Sequence, residues 1–140
     1  MNGNVTEAKA KSTRSVKTLS YLGDAVFELC VRETLAAGGD SGDGKDLSLR
    51  ELNKRAKMFV SDKAQSAMYH SIYGKVSEEE RAVMRRGRNL YSKSRAKNAG
   101  TIEYRHATGL ETLFGYLYLS GERERLNEVF SLCRETTELN

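Results

Sequence analysis

Two carboxylates, Asp24 and Glu111, have the surroundings in this sequence that most suggest chemistry. Each lies in a segment that is otherwise largely apolar, where a carboxylate is costly unless it is paired or binds a metal. Mg²⁺ prefers oxygen ligands and commonly uses one or two carboxylates together with substrate phosphates. A metal held in this way lowers the pKa of a bound water and promotes phosphodiester hydrolysis. The pair therefore predicts a divalent-metal site, provided that the two segments pack together.

Asp24 falls in a helix predicted from about Val16 to Ala37. Apolar residues occur almost all round this helix, which is typical of a buried element. Ser20, Asp24 and Glu28 form one polar row, because residues four apart share a helix face. A solvated surface row is the alternative interpretation. The adjacent Gly23 and Asp24 argue against it, since both residue types are unfavourable inside a helix and such exceptions indicate function.

Glu111 falls in a second predicted helix, from about Ile102 to Leu119. It shares a face with apolar and aromatic side chains, including Ala107 and Phe114. An ion pair with a nearby base such as Arg105 is the alternative to metal binding at this position.

Positive charge is concentrated in one part of the chain, although the net charge is only +4. Residues 81–105 hold eight basic residues and one acid, a net charge of +7, so the remainder sums to −3. Such concentration indicates an anionic partner, with nucleic acid first, whereas a solvated basic loop is the alternative. In Arg86-Gly87-Arg88, the glycine is expected to let the backbone approach phosphates. The predicted RNA-binding residues are Arg85, Arg86, Arg88, Asn89, Lys93, Arg95, Lys97 and Arg105.

The remaining pattern predicts an all-α protein. Its 140 residues suit one globular domain, and apolar residues recur at helical spacing. Amphipathic helices are predicted from Leu47 to Phe59 and from Ser61 to Tyr73. A further helix follows a capping box at Ser77 and Glu80 and is expected to end where the arginines begin. We predict a disordered N-terminal tail over residues 1–15 and a catalytic domain over residues 16–140.

The cysteines, the histidines and the hydropathy pattern argue against a disulfide-bonded, zinc-binding or membrane protein. Cys30 and Cys133 are far apart and are expected to be free thiols in a reducing compartment. His70 and His106 have no second ligand at zinc-site spacing. No apolar run reaches the roughly 20 residues that span a bilayer, and no secretory signal is visible. We therefore expect a cytoplasmic protein without a membrane partner.

Three motifs give the chain a resemblance to the ribonuclease III family. The segment 21–28 resembles the signature helix of that family, and the segment 107–117 resembles its second acidic motif. The residues Arg86–Asn89, Lys97–Asn98 and Tyr104–Arg105 are similar to the basic segment of the short branch, Mini-ribonuclease III. The resemblance covers roughly residues 16–135, nearly the whole chain.

The resemblance implies a homodimeric helical endonuclease domain that cuts double-stranded RNA with Mg²⁺ and leaves 5′-phosphate and 3′-hydroxyl ends. It assigns catalysis and metal binding to Asp24 and Glu111, with Ser20, Thr108 and Glu28 as neighbours of the metal site. Ser20 and Thr108 stand where the longer enzymes carry acids, which suggests fewer protein oxygens around the metal. The resemblance also implies that no double-stranded-RNA-binding domain follows.

The first helix carries more apolar surface than a small monomer needs, so part of it is expected to form the dimer interface. The resemblance matches Tyr21 to an aromatic residue that inserts into the partner subunit. The predicted interface residues are Leu19, Tyr21, Leu22 and Val26.

The short branch further implies a role in ribosome biogenesis, with large-subunit ribosomal RNA precursors as substrate and a ribosomal protein as a candidate partner that presents it. Two other functions stay open. A non-catalytic RNA-binding module would explain the missing acids at Ser20 and Thr108, and a helical interaction protein could use its basic segment to meet an acidic protein. Retention of both Asp24 and Glu111 favours the enzyme, because a binding module needs neither.

Overall fold

The structure is a computed structural model, and it describes residues 14–38, 46–90 and 101–138. These residues confirm the all-α class. The helices are α1 (Val16–Gly38), α2 (Leu49–Val60), α3 (Asp62–Tyr73), α4 (Glu78–Arg88), α5 (Ile102–Leu119) and α6 (Arg123–Glu138). Within the described part of the chain, no helix is long and apolar enough to cross a membrane.

Hydroxyl side chains determine where four of the helices begin. Each accepts a hydrogen bond from a backbone N–H in the first turn, which satisfies a donor that the helix leaves unpaired. These N-caps are Ser48, Ser61, Ser77 and Thr101, for α2, α3, α4 and α5 in turn. The predicted capping box of α4 is confirmed, since the Ser77 N–H also donates to the Glu80 carboxylate at 2.9 Å.

The central element is α5, which is buried almost without interruption from His106 to Leu117. The helices α1, α3, α4 and α6 pack around it. Phe27 of α1 meets Phe114 of α5 edge to face, with ring centroids 5.0 Å apart, and Phe130 of α6 lies 5.8 Å from Phe27. One hydrophobic core therefore joins helices from both ends of the chain.

Two glycines bring the backbones of α1 and α5 into contact. A Cβ atom added at Gly23 would overlap the carbonyl oxygen of Glu111, and one added at Gly115 would overlap the carbonyl oxygen of Leu19. Only glycine permits so close an approach of two backbones. The unfavourable glycine inside α1 thus serves helix packing, and it places Asp24 beside the helix that carries Glu111.

The packing of α1 corrects part of the predicted dimer interface. Leu19 and Val26 are 3% and 5% exposed, because their side chains enter the core of their own subunit. Their assignment to the interface is therefore wrong. Leu22 is partly buried against the same core, whereas Tyr21 is 84% exposed.

Several predictions concern residues outside the described part of the chain. These are the N-terminal tail up to residue 13 and the predicted RNA-binding residues Lys93, Arg95 and Lys97. Cys30 and Cys133 lie within the described part, and both are buried free thiols.

Candidate active site

Asp24 and Glu111 line a single cavity of about 320 Å³. Helix α1 contributes Asp24 to it, α5 contributes Glu111, and α3 closes a third side. The full lining is Ser20, Tyr21, Asp24, Val60, Asp62, Gln65, Tyr104, Ala107, Thr108 and Glu111. The glycine-mediated crossing of α1 and α5 is what brings the two carboxylates together from positions far apart in the sequence.

The surroundings of Glu111 disfavour its ionised form when no cation is bound. Burial, and then the neighbouring Asp24 carboxylate, raise the pKa of Glu111 to about 8, and Asp62 adds a smaller effect of the same sign. The side-chain amide of Gln65 donates a hydrogen bond to Glu111 and acts in the opposite direction. Arg105, considered above as a partner for Glu111, is not among these interacting groups.

The three predicted neighbours of the site have different positions. Ser20 and Thr108 line the cavity. The Thr108 hydroxyl donates to the backbone carbonyl of Tyr104 at 2.9 Å, so its hydrogen is engaged within α5. Glu28 does not line the cavity, since its carboxylate pairs with Arg32 at 2.6 Å one turn further along α1. The structure thus places Glu28 outside the site.

The donor set suits a hard cation that keeps part of its water shell. Among the described residues, no group of three or more His, Cys, Asp or Glu side chains could hold a metal ion. A metal at this site would therefore bind Asp24, Glu111 and oxygens from water or substrate, which is how Mg²⁺ is commonly held. A cation between the two carboxylates would also offset the burial and the repulsion by Asp24 that raise the pKa of Glu111.

Sequence reasoning missed two polar side chains that α3 contributes to this cavity, those of Asp62 and Gln65. Gln65 is only 2% exposed, although it is polar. It lies three and seven residues before Met68 and Ile72, so it belongs to the buried face of α3. A polar amide in register with that apolar face is the signal that could have identified it.

Some of the predicted RNA-binding residues form hydrogen bonds or ion pairs within the subunit, whereas others are exposed. Arg85 is engaged within the subunit, since its guanidinium donates to the Tyr73 hydroxyl at 2.7 Å and pairs with Glu78 at 3.2 Å. Arg86 is exposed, and Arg88 donates to Asn89 Oδ1 at 3.1 Å. Arg105 is partly buried on α5.

The structure gives Gly87 a different role from the phosphate contact that the sequence predicts. It is buried inside α4, where an added Cβ would overlap the Thr112 side chain and come within 2.9 Å of Gly109 on α5. The predicted close approach of phosphate to this glycine is therefore wrong, because α5 already occupies the space. The same contact explains why α4 continues to Arg88 instead of ending before the arginines.

The two histidines, which the sequence presents as isolated, are neighbours. The ring centroids of His70 on α3 and His106 on α5 lie 4.3 Å apart. His106 Nδ1 donates to the carbonyl oxygen of Ile102 at 2.8 Å. Burial and the adjacent His70 lower the pKa of His106, which favours the neutral ring.

Comparison with known proteins gives consistent matches over most of the chain. The family model described as Ribonuclease III domain matches residues 17–122. Mini-ribonuclease 3 of Brevibacillus brevis is 46% identical over 111 residues, 79% of this chain and 78% of that protein. Mini-ribonuclease 3 of Clostridium tetani is 43% identical over 114 residues, 81% of this chain and 72% of that protein.

A solved structure shows the same fold. The X-ray crystal structure of a protein from Fusobacterium nucleatum matches with a TM-score of 0.70 and 28% sequence identity. The match covers 89% of this chain and 94% of the other. The range matched by the family model contains both carboxylates of the cavity and most of each helix that carries them.

Proposed function

This chain belongs to the ribonuclease III family and is an endoribonuclease, and on that premise we propose that it hydrolyses double-stranded RNA with Mg²⁺ bound by Asp24 and Glu111. Proteins of this family act on double-stranded RNA and generally depend on a divalent metal. The observation that carries the proposal is the meeting of two carboxylates in one cavity, where burial and then the neighbouring Asp24 carboxylate raise the pKa of Glu111.

Asp24 on α1 and Glu111 on α5 would hold the metal in the cavity that both residues line. When bound, Mg²⁺ supplies the positive charge that makes a water molecule nucleophilic and stabilises the leaving 3′-oxygen. The two carboxylates supply anionic oxygens from rigid helices, which fixes their geometry better than loops would. Glu111 must be ionised to do this, and its hydrogen bond from Gln65 favours the ionised form.

We propose that phosphates of the duplex contact the basic residues of α4, α5 and the segment between them. Arg86 and Arg88 are placed on α4 next to the helix that carries Glu111. Arg105 lies on α5 itself, and Lys93, Arg95 and Lys97 fall between the two helices in sequence. Double-stranded RNA is recognised mostly by shape, through phosphates and 2′-hydroxyls, so contacts blind to base identity suffice.

We propose that the active form is a homodimer, in which two sites cut the two strands. Proteins of this family are typically dimeric. Tyr21 supports this for the present chain, because a large aromatic ring that is 84% exposed at the edge of the cavity favours coverage by a partner. With Leu19 and Val26 buried, the proposed contact is Tyr21 together with the exposed part of Leu22.

The proposed substrate is a ribosomal RNA precursor in the cytoplasm, presented with or without a ribosomal protein. The support for this is the similarity to proteins named Mini-ribonuclease 3, at 46% and 43% identity. The alternative is a non-catalytic RNA-binding module, favoured by the hydroxyls of Ser20 and Thr108 at positions where the longer enzymes carry acids.

Incubation of the purified protein with an end-labelled RNA duplex separates these two functions. The enzyme yields shorter fragments with 5′-phosphate ends in Mg²⁺ and none in EDTA. A binding module would retard the duplex in a gel and leave it intact under both conditions.

A further inference from the structure

We propose that Gln65 is a positioning residue of this enzyme, whose side-chain amide holds the Glu111 carboxylate in its metal-binding orientation. The inference rests on the proposed function, since it concerns how the catalytic carboxylate is held. Asp24 and Glu111 follow from the resemblance to the family, whereas Gln65 follows from the packing of α3 alone.

The position of Gln65 is fixed by the core. Helix α3 begins at the Ser61 cap, whose hydroxyl accepts from the Ala64 N–H at 3.2 Å, so Gln65 lies in the first turn. Met68 and Ile72 on the same face are fully buried and anchor this face of the helix. Gln65 itself is 2% exposed, and its side chain reaches the cavity that Glu111 lines. An amide confined in this way has few rotamers open to it.

The chemistry of an amide suits this task. Its NH₂ group donates to the carboxylate and carries no charge, so it favours the anion without neutralising it. An arginine or lysine at the same position would compete with the metal for Glu111. With Gln65 on one side of the carboxylate, lone pairs on the other side stay available to a cation. Groups that orient metal-binding side chains in this way typically contribute about 10–100-fold to metal affinity or activity.

This role also fits the neighbouring residues. The Thr108 hydroxyl hydrogen is committed to the Tyr104 carbonyl, so it is not free to orient Glu111 from within α5. Asp24 acts on Glu111 from α1 through charge repulsion and through a hydrogen bond, and both favour the protonated carboxyl. Gln65 supplies its hydrogen bond to Glu111 from α3, the third helix that lines the cavity.

The contact itself is tested in the metal-free protein, without reference to activity. We expect the Gln65 side-chain NH₂ protons to exchange slowly with solvent by nuclear magnetic resonance, because they are buried and bonded. Glu111→Ala removes the acceptor and is expected to speed this exchange about tenfold or more. Ser66→Ala, at the next buried position of α3, is the matched control and should leave the exchange unchanged. Equal exchange rates in wild-type protein and Glu111→Ala would overturn the contact.

The role is tested by two substitutions of similar size. Gln65→Leu removes the donor, and Gln65→Glu keeps the shape but only accepts hydrogen bonds at neutral pH. We expect both variants to lower kcat about 10–100-fold, to leave KM for the duplex unchanged, and to raise the Mg²⁺ concentration for half-maximal rate. Ser66→Ala should behave as the wild type does.

Two outcomes would overturn the positioning role. Wild-type kcat in Gln65→Leu would show that no donor is needed, and wild-type kcat in Gln65→Glu would show that the side-chain oxygen acts as a metal ligand instead. If the wild-type protein fails to cut RNA, the proposed function fails, whereas the exchange experiment still decides whether Gln65 and Glu111 are in contact.

Discussion

At the scale of single residues, the proposed chemistry depends on the protonation state of the Glu111 carboxyl. Its carboxyl lies partly buried beside Asp24, and the pKa of about 8 means that the folded, metal-free protein holds a proton there that the unfolded chain releases near pH 4.5. The Glu111 carboxyl therefore stabilises the folded, metal-free protein fully below about pH 4.5. This stabilisation is lost as the pH rises through about 8. A bound cation would instead favour the ionised form of the Glu111 carboxyl.

This predicts a specific pH dependence of thermal stability in EDTA. Between about pH 5 and about pH 8, the Tm of the wild-type protein should fall relative to Glu111→Gln, which cannot ionise. Each unit of pKa shift corresponds to about 1.4 kcal/mol, so the difference should reach several degrees. Mg²⁺ should raise the wild-type Tm at about pH 8 and have little effect on the variant. Parallel Tm curves for the two proteins in EDTA would contradict the raised pKa.

The two carboxylates that meet in the cavity could be singled out from the sequence, whereas the amide beside them could not. Asp24 and Glu111 stand out because an acid within an apolar helical pattern breaks a local rule. Gln65 is harder to recognise, since an uncharged amide near the start of a helix is common. The apolar face of α3 indicates that Gln65 is buried, but its contact with Glu111 arises only when α3 packs against α5, which the sequence of α3 does not specify.

At the scale of elements, the crossing of α1 and α5 makes the site. Gly23 and Gly115 let the two backbones touch, and this sets the separation of the carboxylates that the helices carry. Ordinarily, replacing a glycine inside a helix with alanine adds about 1 kcal/mol of stability. Because the two backbones are in contact at Gly23, we expect Gly23→Ala to lower the stability of the protein instead.

Gly23→Ala is expected to destabilise the protein by about 1–3 kcal/mol or more, because the added methyl group overlaps the Glu111 carbonyl. Cleavage should fall with it, as the helices are forced apart. Gly38→Ala, at the end of the same helix with no atom within 4 Å of an added Cβ, is the matched control and should be neutral or slightly stabilising. Chemical denaturation of both variants measures this, and equal stabilities would disprove the close crossing.

Helix limits could be predicted well where a local signal determines them. The Ser77–Glu80 capping box and the span of α5 from Ile102 to Leu119 are confirmed. The sequence predicts too early an end for α4, because the arginine-rich stretch hides the packing of Gly87 on α5. The burial of Leu19 and Val26 is missed for a related reason, since a helix that is apolar on many sides does not reveal which side meets a partner.

At the scale of the whole molecule, Tyr21 tests the assembly. Tyr21→Asp should weaken the homodimer, because a carboxylate would be buried without a partner in the interface. Tyr21→Phe keeps the ring and should leave the dimer intact. Sedimentation velocity at micromolar concentration distinguishes the two variants. A wild-type protein that sediments as a monomer under these conditions would contradict the proposed dimer.

The charge distribution gives a second prediction at this scale. Arg86→Ala combined with Arg88→Ala should weaken duplex binding and reduce the slope of log affinity against log salt by about 1–2, because fewer phosphates release their counterions. Arg50→Ala combined with Lys54→Ala removes the same charge from exposed positions of α2 and serves as the control. If both pairs change the slope equally, the effect reflects net charge and not a contact surface near the site.

The central claim, that Asp24 and Glu111 form the metal site of an endoribonuclease, is tested most directly by the initial rate of duplex cleavage as a function of Mg²⁺ concentration. The wild-type protein, Asp24→Asn and Glu111→Gln are compared, with circular dichroism to show that each is folded. Both substitutions remove a charge and keep the shape, so we predict a saturable Mg²⁺ dependence for the wild type and no measurable cleavage by either folded variant. Wild-type rates in either variant, or cleavage that persists in EDTA, would contradict this assignment.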